Sequence, residues 1–368
     1  MSTPRINYAA PVTKTLVGNG VFRDSPFVLV DVGASGGIEQ YWRAFEPDLV
    51  AFGFEPLIKE CERLNNLERS PKVKYFPYFV GNDKYDSLFP PSIAPDPILG
   101  WTDDVYQRTS SVRAHHLLSL SFTQRFNNED PEIIYTQERT SLDQFFSAMK
   151  TDNVDFIKID TDGHDYEVLT GARQLASNKQ VLGFFVECQL HGVSHPHANL
   201  FSNIDRLLRD LGFSLFDLEV YRYSRAALPG HFVYDIPAQT HEGQVVWGDA
   251  LFLRDVTAAG YESRWMSLSP LKLLKLVCLH EIFGMPDCAA EILLQYGDRL
   301  KDLADPEPLL DMLTQSIDPA HSSFREYTAE FDRSPRSFYP QPRENHPAPI
   351  HSFKTALANR ITKILKPR

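Results

Sequence analysis

The stretch Phe27–Gly37, read F-V-L-V-D-V-G-A-S-G-G, narrows the fold more than any other part of the chain. Five apolar residues (Phe27, Val28, Leu29, Val30 and Val32) bracket Asp31, and glycines follow at 33, 36 and 37. A short apolar run rich in β-branched residues reads as a parallel strand buried on both faces. Glycines directly behind it let the backbone turn sharply and approach a ligand where the next helix begins. Residues 51–56, A-F-G-F-E-P, read as a second apolar strand ending in Glu55. An acid about 20 residues beyond such a turn is where a second strand delivers a carboxylate to a ribose. Turn, second strand and terminal acid in register point to a nucleoside-type cofactor. The plainer alternative is a strand-to-helix turn in an α/β protein that binds something else.

The pattern continues along the chain. A helix is expected over 38–46, another over 58–67 and a third strand over 72–80, closed by Gly81 and Asn82. Residues 83–135 break the alternation with Pro90, Pro91, Pro95 and Pro97 beside Trp101 and Tyr106, and an irregular insert of this length is a candidate acceptor loop. Regular order resumes with a helix over 140–149, capped by Thr140 or Ser141, and a fourth strand over 154–160. A helix over 165–177, a strand over 181–187 and a helix over 200–211 follow, and segments 213–218 and 245–254 close the sheet as a terminal pair. This order predicts a doubly wound, mostly parallel seven-stranded sheet with ligands at the carboxyl ends of its strands.

The expected division is a lead-in over 1–26, the α/β domain over 27–256, and a small helical hairpin extension over 257–302, in which two amphipathic helices, 271–283 and 288–296, are joined at Gly284-Met285-Pro286-Asp287. A proline-rich linker or strap over 303–350 precedes a basic segment over 351–368. That last segment has five basic residues and no acid, with Phe353, Leu357, Ile361 and Ile364 on one helical face. It suits an anchor on an anionic membrane surface; packing on its own domain or a protein partner is the plainer reading.

Composition excludes some classes. A net charge of −11 argues against a general nucleic-acid binder, which needs a basic footprint. Cys61, Cys188, Cys278 and Cys288 are scattered without a C-x-x-C pair, as free thiols of a reducing cytoplasm would be. No apolar run approaches a membrane span and the N-terminus lacks a signal-type core, so a cytoplasmic protein is expected. Oligomeric state is not legible.

Strand four ends in I-K-I-D-T-D-G-H-D, residues 157–165. Asp160 falls at the carboxyl edge, facing the ligand crevice. Lys158 lies in a strand buried on both faces and therefore needs a carboxylate partner or a route to an edge. Asp162, with Asp165 three residues on, reads equally as a helix cap. His164 has the proton affinity of a general base, though a lone loop histidine is more often merely solvated. Glu187 ends the neighbouring strand. Two such carboxylates could share a divalent cation or orient an acceptor hydroxyl. His191, His195 and His197 add nitrogen donors but match no standard zinc spacing, so no metal is predicted.

The glycine turn fails the dinucleotide fingerprint, which would require glycine where Ser35 and Ile38 stand, and this disfavours a nicotinamide oxidoreductase. What remains, Asp31-x-Gly33-x-x-x-Gly37, resembles the first motif of class I S-adenosylmethionine-dependent methyltransferases. With V-D-V-G-A-S-G-G (30–37), G-F-E-P (53–56), T-S-L-D-Q-F-F (140–146) and V-D-F-I-K-I-D-T-D-G-H-D-Y-E-V-L-T-G-A (154–172), the chain resembles an FkbM-family methyltransferase. The likeness runs more weakly through 211–218 and 248–255, covering about 27–255. It implies a Rossmann-like class I fold, S-adenosyl-L-methionine as cofactor and O-methylation, often of sugar hydroxyls in glycans or natural products. It places Asp31, Gly33 and Gly37 at the methionine end and Glu55 at the ribose, with Ala34, Ser35 and Pro56 also among the cofactor-binding residues. Asp160 and Asp162 form the strand-four part, and Asp160, His164 and Glu187 are the catalytic candidates. Ser35 stands where the family commonly has Asn, and His164 where a small residue is more usual, so a catalytic role for His164 is not inherited. The competing reading is a non-catalytic methyltransferase-like module docked onto a glycan-assembly complex; retention of Glu55 and Asp160 weighs against a decayed cofactor site.

Overall fold

The computed structural model describes residues 6–82, 134–161, 163–178, 180–190, 196–223, 239–259 and 268–339. Most of the 83–135 insert, Asp162, His191, His195 and the basic segment 351–368 lie outside the described residues.

Helix α1 (Pro11–Gly18) precedes β1 (Phe27–Val32), a 3-10 turn over Gln40–Phe45, β2 (Leu49–Phe54), α2 (Ile58–Leu67), β3 (Val73–Phe76) and β4 (Phe79–Val80). Then come β5 (Arg139–Thr140), α3 (Leu142–Ala148), β6 (Phe156–Ile159), α4 (Asp165–Thr170), α5 (Arg173–Ser177), β7 (Gly183–Gln189) and α6 (Phe201–Asp210). Strands β8 (Ser214–Tyr223) and β9 (Gln244–Leu253) precede helices α7 (Pro270–Ile282), α8 (Pro286–Leu300), α9 (Pro306–Ile317) and α10 (Phe324–Arg333).

Seven strands form one sheet in the order β3-β2-β1-β6-β7-β9-β8. The pairs from β3 to β7 are parallel, and β9 runs antiparallel to both β7 and β8. This is the expected doubly wound sheet with its terminal antiparallel pair, and the order and strand directions are those of the class I methyltransferase fold. Alternate residues of the buried strands serve two cores. Val28, Val30, Ile157, Ile159, Phe184 and Val186 pack with Phe146, Leu169, Ile204 and Leu208 from α3, α4 and α6. On the other face Phe27 stacks on Phe45 at 3.9 Å, and Phe283 stacks on Phe156 at 5.5 Å and Phe185 at 6.1 Å.

Several expectations change in detail. The helix expected over 38–46 is a short 3-10 turn, because Pro47 holds Glu46 in an extended conformation and closes the segment. Pro77 divides the strand expected over 72–80, and β4 pairs instead with β5 in a separate two-stranded sheet. Ser141 caps α3, its side chain accepting from Gln144 N at 3.2 Å. The helix expected over 165–177 breaks at Gly171, where an added Cβ would come within 1.9 Å of the Gly81 carbonyl oxygen. Asp143 then starts α5 afresh by accepting from Gln174 N and Leu175 N.

Helix α7 was expected to be amphipathic. It is buried on nearly every side, including Lys272, Lys275, His280 and Glu281. Helices α7 and α8 fall within the compact unit 1–313. The second unit, 314–368, is described over 314–339. Where a linker was expected it carries α10, capped by Ser323, and a 3-10 turn over Pro335–Phe338. Within it the His321 ring meets Asp318 at 3.0 Å and Glu330 at 2.9 Å. No helix among the described residues is long and apolar enough to cross a membrane.

Candidate active site

The carboxyl ends of β1, β2 and β6 bring the sequence-derived residues together. Asp31 pairs in register with Lys158, so both side chains leave the sheet on one face. Lys158 Nζ lies 3.2 Å from Asp31 Oδ1 and 3.3 Å from Asp160 Oδ2, which answers the need for a partner evident in the sequence. Asp31 is 1% exposed, and burial pushes its carboxyl up to about 6 despite the attraction of Lys158. Burial disfavours the charge on Lys158, yet Asp31 and Asp160 on either side hold its proton more tightly than usual. Asp31 thus supports the site from beneath, whereas the Asp160 side chain is 50% exposed at the edge.

The glycine turn wraps over that edge. Gly33 has φ +82, and a Cβ there would come within 1.8 Å of the Asp160 carbonyl oxygen, so this position admits only glycine. Gly33 N and Ala34 N both donate to the Phe54 carbonyl at 3.0 Å, tying the turn to the end of β2. Ala34 is buried, and Ser35 is exposed on the turn. Gly37 N closes the turn on the Ala34 carbonyl, and Ile38 N donates to the Tyr75 hydroxyl at 3.1 Å. Glu55 is buried beyond β2, and its Oε1 accepts from Leu57 N at 2.8 Å across the half-buried Pro56.

After β6 the chain turns into α4. Thr161 N donates to Asp165 Oδ1 at 3.0 Å, and Asn199 donates to Asp165 Oδ2 at 2.9 Å. Asp165 therefore ties this turn to the loop before α6; burial, then the nearby Asp160 charge, raises its carboxyl to about 6. His164 Nδ1 lies 3.7 Å from Glu167 Oε2. Thr161 Oγ1 and His164 Nε2 are buried without hydrogen-bond partners among the described residues. His197 approaches the Tyr166 ring at 6.4 Å.

Glu187 stands one step beyond Val186, which pairs with Ile159, so it neighbours Asp160 across the strand ends. Sequence reasoning missed its other neighbours, Asp249 on β9 and Glu219 on β8, in register on the same face. The signal was present: a carboxylate inside V-V-W-G-D-A-L-F-L is as anomalous as the lysine inside β6. Among the described residues no three His, Cys, Asp or Glu side chains converge as a metal site. A groove of ≈ 670 Å³ between the glycine turn, the 3-10 turn and α2 has none of Asp31, Glu55, Asp160 or Glu187 in its lining. The chemistry-bearing groups lie at the strand ends instead.

Compared with known proteins, residues 31–215, half of the chain, match the family profile described as the methyltransferase FkbM domain. No curated protein matches. Solved structures with some likeness include a magnesium protoporphyrin IX methyltransferase from Synechocystis with bound SAM, at 10% identity and TM-score 0.28, covering 67% of this chain and 80% of that one. A methyltransferase FkbM from Methylobacillus flagellatus gives 14% identity and TM-score 0.29 over 62% of this chain and 43% of that one. A precorrin-6y C5,15-methyltransferase from Geobacter metallireducens gives 9% and 0.30 over 66% and 87%. Likenesses this low add nothing to the fold read from the strand order.

Proposed function

Because the chain belongs to the FkbM-domain methyltransferase family, we propose that it uses S-adenosylmethionine to methylate a hydroxyl, of a sugar in a glycan or glycosylated natural product. The observation that carries this reading is the Gly33 turn seated directly on the Asp160 backbone, with Glu55 at the adjoining strand end. The turn is held that closely on β6 while an added Cβ at Gly36 would meet nothing within 4 Å, which leaves open space beside the turn for an elongated ligand, and a ribose diol needs an acceptor such as Glu55. The residues present fit the cofactor, since Thr161 Oγ1 and His164 Nε2 are buried polar atoms without partners beside this edge.

When bound, the cofactor supplies an electrophilic methyl group on a sulfonium. The chain's own residues do the rest. Gly33, Gly36 and Gly37 hold the turn open at positive φ, and Glu55 orients the ribose. Lys158 fixes the Asp160 carboxylate at the edge. Holding reactants about 3 Å apart and in line supplies much of the rate in such transfers. The direct test is calorimetric titration with S-adenosylhomocysteine. Micromolar binding by the wild type, abolished in Glu55→Ala, is the expected result; absence of binding in folded wild-type protein would sink the reading.

A further inference from the structure

The acceptor side of the sheet carries more acid than cofactor binding by β1, β2 and β6 uses. Ile159 pairs with Val186, Glu187 with Asp249, and Asp249 with Glu219. Opposed residues on neighbouring strands share a face, so Asp160, Glu187, Asp249 and Glu219 make a row above Lys158. At about 4.8 Å per strand, Asp249 stands roughly 10 Å along the row from Asp160.

Asp249 differs from its neighbours in how it is held. The Tyr221 hydroxyl donates to Asp249 Oδ2 at 3.1 Å, and the Tyr221 ring stacks on Trp247 at 4.1 Å and 19°, which fixes that hydroxyl in place. Glu219 draws on the same hydroxyl, so one proton serves two carboxylates, and Glu219 Oε2 is buried without a partner among the described residues. A buried acceptor atom left without a donor costs free energy. A bound molecule carrying hydroxyls would supply that donor.

We propose that Asp249 takes the proton of the acceptor hydroxyl, with Tyr221 as its positioning residue and the acceptor seated over the β7-β9-β8 end of the sheet. This rests on the hydroxyl-methyltransferase reading above. In the step, the acceptor oxygen bonds to the methyl carbon while the carbon–sulfur bond of the sulfonium donor breaks. The electron pair stays on sulfur, and the oxygen's proton passes to an Asp249 carboxylate oxygen. A base works best when its proton affinity lies near the operating pH. Burial, then the charges of Asp160 and Glu219, raise Asp249 to about 7, against the Tyr221 hydrogen bond and Lys158. Among the described residues, Glu187 and Cys188 on β7 also stand beside it. Asp160 is less suited, because its carboxylate is already engaged by Lys158 Nζ at 3.3 Å.

The test compares wild type, Asp249→Asn and Tyr221→Phe on three readouts. These are calorimetric binding of S-adenosylhomocysteine, methyl transfer from labelled S-adenosylmethionine to a panel of alkyl glycosides and amines, and carboxyl-carbon NMR titration of the donor-free protein. Cofactor affinity should stay within about threefold in both variants, while kcat on glycosides falls by about a hundredfold or more in Asp249→Asn. The acidic limb of the pH profile should move to higher pH in Tyr221→Phe, since the lost hydrogen bond favoured the anion. The resonance lost in Asp249→Asn should titrate at the pH of that limb. Retention of more than a tenth of kcat, an unmoved limb, or titration in the ordinary carboxylate range would overturn the assignment to Asp249 alone. Failure of the wild type to bind S-adenosylhomocysteine would overturn the donor reading. Binding followed by methylation of amines only, or of nothing in the panel, would overturn the hydroxyl acceptor and the role of Asp249 with it.

Discussion

His280 shows how a single side chain can report on the whole fold. It is buried in the last turn of α7 with Nδ1 unpartnered among the described residues, 5.0 Å from the Phe216 ring. Burial pushes its proton affinity down to about 3, against 6.5 in the unfolded chain. The unfolded chain therefore binds the proton first, and stability present above pH 6.5 is lost as pH falls toward 3. Asp31, Asp165 and Asp249 act in the opposite sense, their raised values adding stability as pH falls, but they are common to wild type and variant. Urea unfolding should accordingly show His280→Leu gaining about 2 kcal/mol on wild type between pH 8 and pH 5. A pH-independent difference would mean that the imidazole is hydrated. Residue-level signals of this kind were partly legible. Lys158 betrayed its need for carboxylates because a charge inside an apolar strand is locally anomalous. The same anomaly at Asp249 was passed over, since nothing in the local sequence reveals that Glu187 and Glu219 lie alongside.

At the scale of elements, the join between α7 and the sheet depends on one carboxylate. Asp155 Oδ1 meets Lys272 Nζ at 2.6 Å, while Oδ2 meets Lys275 Nζ at 2.8 Å and accepts from Val28 N at 2.8 Å. The ammonium groups also donate to the Gln180 and Pro26 carbonyls at the amino ends of the strands. Burial still pulls the proton affinity of Lys275 below its ordinary value. Removing the carboxylate leaves two buried cations without their counterion, and Asp155→Ala should lose about 3–5 kcal/mol in denaturant unfolding at pH 7. A loss under about 1 kcal/mol would show that water reaches the lysines. The periodicity of residues 271–283 suggested a helix with one wet face. Tertiary contact overrode that reading, because lysines three apart on one face of a helix can be buried together when they share a carboxylate from a distant part of the chain. The break in the helix after β6 has a similar origin, as Gly171 gives way to a carbonyl 90 residues earlier in the chain, that of Gly81.

For the whole molecule, the proposed chemistry sits along one edge of the sheet, with cofactor groups on β1, β2 and β6 and acceptor groups on β7, β9 and β8. Ligand that binds only the folded chain stabilises it by mass action, about 2.7 kcal/mol at a hundred times Kd. Saturating S-adenosylhomocysteine should therefore raise the melting temperature by several degrees. It should also slow amide exchange around Gly33–Gly37, Glu55–Leu57 and Asp160–Thr161, as hydrogen-exchange mass spectrometry would show. Slowing confined to other segments would place the cofactor elsewhere. The sequence by itself determined the strand–turn unit, the succession of α and β elements, the family and the position of Glu55 and Asp160. Each of these is written in short-range periodicity, in glycines that only a tight turn needs, and in acids at strand ends. Only the tertiary structure decided that α7 is buried by Asp155, that Asp31 lies under the site against Lys158, and that Glu187, Asp249 and Glu219 share a row. Strand pairing joins residues far apart in the chain, and the register that selects them arises from packing between faces, which no local stretch encodes.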